Sequence, residues 1–189
     1  MKETLHRNLK TGRDALVWKL DGLSDYDVRR PLTSTGTNLL GLVKHVGGAA
    51  AGYFGLVFGR PVDLAGFGWT DPSLNLHMYA TADESRDQIV TLWTDAWKLA
   101  DATIEELAID APGLVPWWPE EHNRITLGDA LVHMIGEVQR HAGHADIVRE
   151  LIDNASGHSA DVSYLPEHDA QWWAAHHAKL QGIADSVSS

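Results

Sequence analysis

Apolar residues recur at helical spacing along four long stretches, separated by segments rich in Pro, Gly and Asp. In the first, Leu5, Leu9, Leu16, Leu20 and Leu23 predict a helix from Glu3 to Leu23. Ser24 to Pro31 then breaks the pattern with loop residues, and Arg29 and Arg30 read as a solvated pair. Thr37 is the expected N-cap of a second helix, Asn38 to about Phe58. Leu39, Leu42, Val43, Val46, Ala50, Tyr53, Phe54 and Val57 supply its buried face. Thr81 and Glu84 have the spacing of a capping box for a third helix, which runs to about Leu107 with Ile89, Trp93, Ala96, Trp97, Ala100 and Ile104 inward. Thr126 caps a fourth helix, with Asp129 at its third position. That helix continues to about Asp153 and ends in the turn residues Asn154 to Gly157. A last helix from Glu167 to about Ala184, opened by Pro166, bears Trp172, Trp173, His176 and His177. Residues 185–189 read as a frayed tail.

Two connections have no period. Residues 59–80 form one of about 22 residues, a length that tends to be functional or to contain a short helix. Phe67, Trp69, Leu74 and Met78 either fold it over a pocket as a lid or pack it against the bundle end. Residues 110–124 form the other, stiffened by Pro112, Pro116 and Pro119. Its Trp117 and Trp118 either wall a substrate site or cap the core. No run of alternating β-branched residues is long enough to argue for a sheet. The expectation is an all-α four-helix bundle with long connecting loops and an extra C-terminal helix. At 189 residues the chain is expected to be one domain, its core bundle about 3–154 and its C-terminal extension 155–189.

Charge and composition narrow the chemistry. Lys and Arg total 15 and Asp and Glu 26, for a net charge of −11, a poor match for nucleic acid or anionic lipid. The N-terminus lacks the apolar core of a signal peptide, and the apolar run Gly47 to Phe58 is short and glycine-heavy. The cytoplasm is the expected compartment, with no membrane partner. There is no Cys, so any metal must sit on His, Asp and Glu, and any catalytic thiol must be borrowed. The same apolar run and the Trp pairs leave room for a homodimer interface.

The fourth helix carries His133, Glu137, His141 and His144, spaced by four, four and three. On a helix these side chains fall within an arc of roughly 80°. They flank a core stripe of Leu127, Leu131, Met134, Val138 and Ala145. An i, i+4 Glu/His pair either binds one metal ion from one face or forms a hydrogen-bonded pair beside the core. His45, on the second helix among Gly41, Gly48 and Ala49, offers the missing ligand from a neighbouring helix. Those small residues let another helix approach or leave room for a ligand. Two imidazoles and a carboxylate suit a divalent metal, with zinc favoured and iron or nickel as alternatives, and leave a coordination place open. His133 and His144 are alternatives to members of this triad, or else support the ligating rings and carry protons. Asp146 and Arg149 read as a surface or inter-helix pair, or as a support for a ligating His.

Thr-Asn-Leu-Leu-Gly-Leu-Val-Lys-His45, followed by His133-Met-Ile-Gly-Glu-Val-Gln-Arg-His-Ala-Gly-His-Ala-Asp146, resembles the DinB/YfiT-like superfamily of metal-binding four-helix bundles. The nearest branch is that of mycothiol-dependent maleylpyruvate isomerase and mycothiol S-transferases. The resemblance implies ligands at His45, Glu137 and His141, zinc or another divalent ion, and often a homodimer. Many members have His where this chain has Glu137, and Glu there points to the isomerase branch. It also implies a low-molecular-weight thiol cosubstrate, mycothiol-like, and an electrophilic small molecule as partner. On this reading Trp117, Trp118 and Arg124 contact the cosubstrates, and His144 and His133 serve the chemistry. Hydrolysis by a metal-bound water, or ligand binding without catalysis, are the alternatives.

Overall fold

The computed structural model describes residues 1–187, without the side chain of Pro72. Four long helices make the body: α1 (Lys2–Val17), α3 (Leu39–Phe54), α4 (Arg86–Glu106) and α5 (Leu127–Asp153). A short helix α2 (Asp25–Arg29) follows α1, and α6 (Ala170–Ser186) ends the described chain. The fold is an all-α bundle in which α3 packs between α4 and α5, and α5 packs on α1. Polar side chains join α1 to α4. Arg13 donates to Asp101 at 2.9 Å, His6 lies 2.6 Å from the same carboxylate, and Lys2 donates to the Leu107 carbonyl at 2.8 Å.

The helix α3 is the centre of the core, with fourteen of its sixteen residues buried. That explains its composition. Leu39–Phe58 is long and apolar enough to cross a membrane, yet 83% of it is buried inside this fold. Its N-cap is Asn38, whose side chain accepts from the Gly41 amide at 2.8 Å, one residue after the expected Thr37. The helix stops at Phe54 and a 3-10 turn, Leu56–Phe58, completes the apolar run.

Other boundaries also move. The first helix ends at Val17 and continues as the 3-10 turn Trp18–Leu20, short of Leu23. The segment expected as loop contains α2, capped by Ser24. Arg29 is not solvated: its guanidinium donates to the carbonyls of Ala80 at 3.5 Å, Thr81 at 3.2 Å and Glu84 at 2.6 Å. Arg30 pairs with Asp27 at 3.2 Å. Thr81 and Glu84 do meet, the Thr81 amide donating to Glu84 at 2.7 Å, but they form a turn ahead of α4. The capping box of α4 is Ser85 with Gln88. Thr126 and Asp129 form the expected box on α5. A two-stranded antiparallel hairpin was not expected: β1 (Pro112–Leu114) pairs with β2 (Arg124–Thr126) and ends on the cap of α5. Three residues per strand are too few to print an alternation on the sequence.

Two buried lysines and an arginine pin one end of the bundle, where α1 and α5 finish and α3 and α4 begin. Lys19 pairs with Asp146 at 3.0 Å and also donates to the carbonyls of Ala15 and Gly157. Arg149 donates to the Lys19 carbonyl at 2.7 Å, the Asp21 carbonyl at 2.9 Å and the Asp153 carboxylate. Asp146 and Arg149 thus serve the turn after α1 instead of pairing with each other or supporting a histidine. Lys44 reaches Glu84 at 2.7 Å. The last helix starts at Ala170, capped by Asp169, and has no buried residue among those described. It persists to Ser186, into the expected tail; Ser188 and Ser189 lie outside the described residues.

Burial disfavours the Asp101 carboxylate, but the hydrogen bonds to His6 and Arg13 outweigh it and hold the carboxyl below its ordinary range. A depressed carboxyl adds stability above its unfolded pKa, and that stability fades as pH falls through the folded value. The wild type should therefore lose stability more steeply than Asp101→Asn between pH 6 and 3. Urea unfolding at a series of pH values measures it, and parallel curves would refute the assignment.

Candidate metal centre

Each functional side chain is placed by helix periodicity across one interface. His45 lies on α3, and Glu137 and His141 lie one turn apart on α5, which packs against it. Glu137 Oε1 is 3.0 Å from His45 Nε2 and 3.1 Å from His141 Nε2, so both imidazoles address one oxygen. The three candidate ligand atoms lie within 4.8 Å of one another. Among the described residues these are the one group of His, Asp or Glu side chains so disposed. His45 and His141 side chains are 12% and 10% exposed and that of Glu137 27%, which gives a largely buried cluster with one open side.

The Glu137 carboxyl is held far below the usual range, by the hydrogen bond to His141 first and that to His45 second, against the opposing effect of burial. A carboxylate that stays ionised beside two imidazole nitrogens is the donor set a divalent cation of intermediate hardness requires. His141 has a second partner: its Nδ1 lies 3.3 Å from Nδ1 of His144. One of these nitrogens must carry the proton. If His141 Nε2 is to offer a lone pair, its Nδ1–H donates to His144, an outer contact of the kind that fixes a ligating ring. His144 is exposed at the open side. Its pKa is lowered, by desolvation and then by the neighbouring His141.

The His45 ring is covered differently. Trp69 and His77, both from the connection between α3 and α4, lie 5.3 Å and 5.2 Å from it between centroids. They stack on each other at 4.2 Å and 19°. The neighbourhood of Gly41 and Gly48 is filled by this connection and not by another helix. A side chain at Gly41 would strike the Met78 carbonyl, and one at Gly48 the Trp69 indole. Of the four lid candidates, Phe67 is buried in the core, Trp69 reaches the site, Met78 is half-buried on the bundle and Leu74 is exposed.

His133 lies on the same face of α5, one turn before Glu137, and is exposed. Its ring is 4.4 Å from Tyr53 and 5.5 Å from Trp118, and it belongs to a second, aromatic group. Trp117 stands edge-on to Tyr53 at 5.3 Å and is 47% exposed, while Trp118 is half-buried. The absent side chain of Gly52 admits the Trp117 ring against α3. Burial pushes the Tyr53 phenol up, the Trp117 and Trp118 indoles offset this in part, and the Glu137 charge adds to it. Arg124 lies on β2, paired with Leu114, and is exposed. Tyr53 and His77 were not singled out from the sequence as site residues. The available signal was the spacing of Gly41, His45, Gly48 and Gly52 by four, three and four, which puts a glycine-flanked histidine on one face.

Residues 4–154, spanning α1 through α5, match a family model described as Mycothiol-S-transferase. No curated protein matches the chain.

Because the Glu137 carboxyl is depressed, its stabilising contribution in the metal-free protein is complete above the ordinary carboxyl range and declines as pH drops below it. Chelator-treated wild type should show a melting temperature that falls from about pH 5 to about pH 2.5 more than that of Glu137→Gln. Equal slopes in scanning calorimetry would contradict the shared-oxygen arrangement.

Proposed function

The chain belongs to the mycothiol S-transferase family, and from that premise we propose that it is a divalent-metal-dependent enzyme joining a mycothiol-like thiol to an electrophilic small molecule. The observation that carries the reading is the convergence of His45, Glu137 and His141 at one point, in a chain with no Cys of its own. A divalent cation held there, zinc being favoured, would supply Lewis acidity that lowers the pKa of a thiol towards neutrality.

The chain's own residues do the rest. His45, Glu137 and His141 fix the position of the reacting sulfur. His144, exposed beside His141 on the open side, is the group we assign to take the thiol proton, its Nδ1 leaving the His141 contact to accept it. The sulfur forms a bond to the electrophilic carbon, and the leaving group departs with the electron pair of the bond that breaks. For an electrophile that adds without a leaving group, the pair moves into the substrate and is protonated. Tyr53, Trp117, Trp118 and His133 wall the next turn of the α3/α5 interface and suit a flat, apolar substrate. Arg124, on the strand leading into α5, remains the cation assigned to the thiol's polar groups. In the same reading the chain is one cytoplasmic domain that pairs as a homodimer, supported by exposed Val132, Ile147 and Leu151 on α5.

Protein purified without an affinity tag should bind about one zinc ion per chain. His45→Ala and His141→Ala should each abolish stoichiometric metal and return adduct formation to the uncatalysed rate. Elemental analysis and mass spectrometry of the mycothiol–bimane adduct provide the two readouts. Full metal occupancy in both variants would reject the ligand set. Ester or amide turnover with no thiol present would favour hydrolysis instead.

A further inference from the structure

A ligating imidazole normally has its second ring nitrogen held by a carbonyl, a carboxylate or a comparable acceptor, which sets the ring plane. His141 follows that rule through His144. His45 does not: its Nδ1 is buried and has no hydrogen-bond partner among the described residues. Its one hydrogen bond is the Nε2 contact to Glu137, which fixes a direction and leaves the tilt of the ring plane to whatever packs on its faces.

The surroundings supply a steric answer. Trp69 lies 5.3 Å from the His45 ring at 33°, and His77 lies 5.2 Å from it at 40°. These two rings stack on each other, so neither can shift alone. The segment that carries them is seated on α3 and not draped over it. Gly41 and Gly48, either side of His45 on the same face, leave room for the Met78 carbonyl and the Trp69 indole. Asn38 donates to the Met78 carbonyl at 3.3 Å, and Lys44 donates to the Tyr79 carbonyl at 3.2 Å and to Glu84 at 2.7 Å. Arg29 closes the far end through the carbonyls of Ala80, Thr81 and Glu84. Residues Gly41, Lys44, His45 and Gly48 are thus read from one side by one segment.

We propose that Trp69 and His77 are positioning residues that clamp the His45 imidazole by ring contact, in place of the usual hydrogen bond, so that its Nε2 stays on the point shared with Glu137 and His141. The inference deepens the metal-centre reading and rests on it for its consequence, though the clamp itself is a property of the metal-free chain. It assigns the connection between α3 and α4 a part in metal affinity without any atom of it being a ligand.

The test uses the full chain with cobalt(II) as the probe, alongside NMR of the metal-free protein. Trp69→Ala should weaken cobalt binding about 10–100-fold, as loss of an outer support does, and alter the cobalt absorption spectrum. Trp69→Phe, which keeps a ring, should recover most of the affinity and guards against misfolding of the alanine variant. His77→Phe should stay within a few-fold of wild type. In metal-free wild type the His45 ring protons should be shifted upfield by the Trp69 indole, and the shift should vanish in Trp69→Ala. Wild-type cobalt affinity in a folded Trp69→Ala protein would overturn the clamp, and so would complete loss of cobalt in His77→Phe, which would make His77 a ligand. If the wild type binds no cobalt, the metal centre fails by itself; the upfield shift then decides the clamp, its presence supporting it and its absence overturning it.

Discussion

One oxygen atom, Glu137 Oε1, is addressed by imidazoles from two helices, and most of the site follows from that sharing. A half-buried carboxylate needs partners that stay put, because an unpaired charge away from water is strongly destabilising. His141 is supplied by the same helix one turn on, so it comes with α5 itself. His45 comes only if α3 packs at the right height and rotation. Axes of neighbouring helices sit about 8–10 Å apart, within reach of two side chains meeting halfway. The charge on Glu137 therefore reports the register between the two helices, and that register also sets the second aromatic group one turn away.

Bulk and polarity are divided sharply along α3. Its apolar positions face the core and carry the bundle. Gly41, Gly48 and Gly52 face the connecting segments, and His45 meets both those segments and α5. Buried Lys44 belongs to that second side, where Glu84 and the Tyr79 carbonyl receive its ammonium. At the same end of the bundle, where Arg86 ties the start of α4 to the Leu20 and Leu23 carbonyls, Lys19, Asp146 and Arg149 play the same part for the turn after α1 and the residues beyond α5. Polar groups buried in this manner add little net stability, but a wrong register leaves them unpaired, so they discriminate between alternatives.

The helices were legible in the sequence because their apolar positions repeat, and the body of the bundle, from Leu5 to Val148, was readable on that basis. So was the triad, since His45, Glu137 and His141 each sit at a position that periodicity can place. Local capping was less legible. Thr81 and Glu84 have the right spacing and do bond, yet Ser85 and Gln88 one turn later win the helix start. Asn38 likewise displaces Thr37, one residue earlier. Arg29 looked solvated because its partners are backbone carbonyls some fifty residues away, which no local pattern encodes. Tyr53 and His77 escaped for a related reason. The first reads as a core aromatic, and the second lies in a segment without period, whose course is fixed by contacts and not by its own sequence.

The short hairpin ahead of α5 has a further consequence. It anchors both ends of the loop bearing Trp117 and Trp118, the Val115 amide donating to the Asn123 carbonyl at 2.8 Å and the Leu127 amide to that of Ala111 at 3.0 Å. Val115 is buried in the core, so the residues between it and Asn123 are held as a loop whose base, with the start of α5, keeps its place. A change within that loop therefore alters the aromatic surface beside His133 while the contact of two helices on Glu137 Oε1 is left in place.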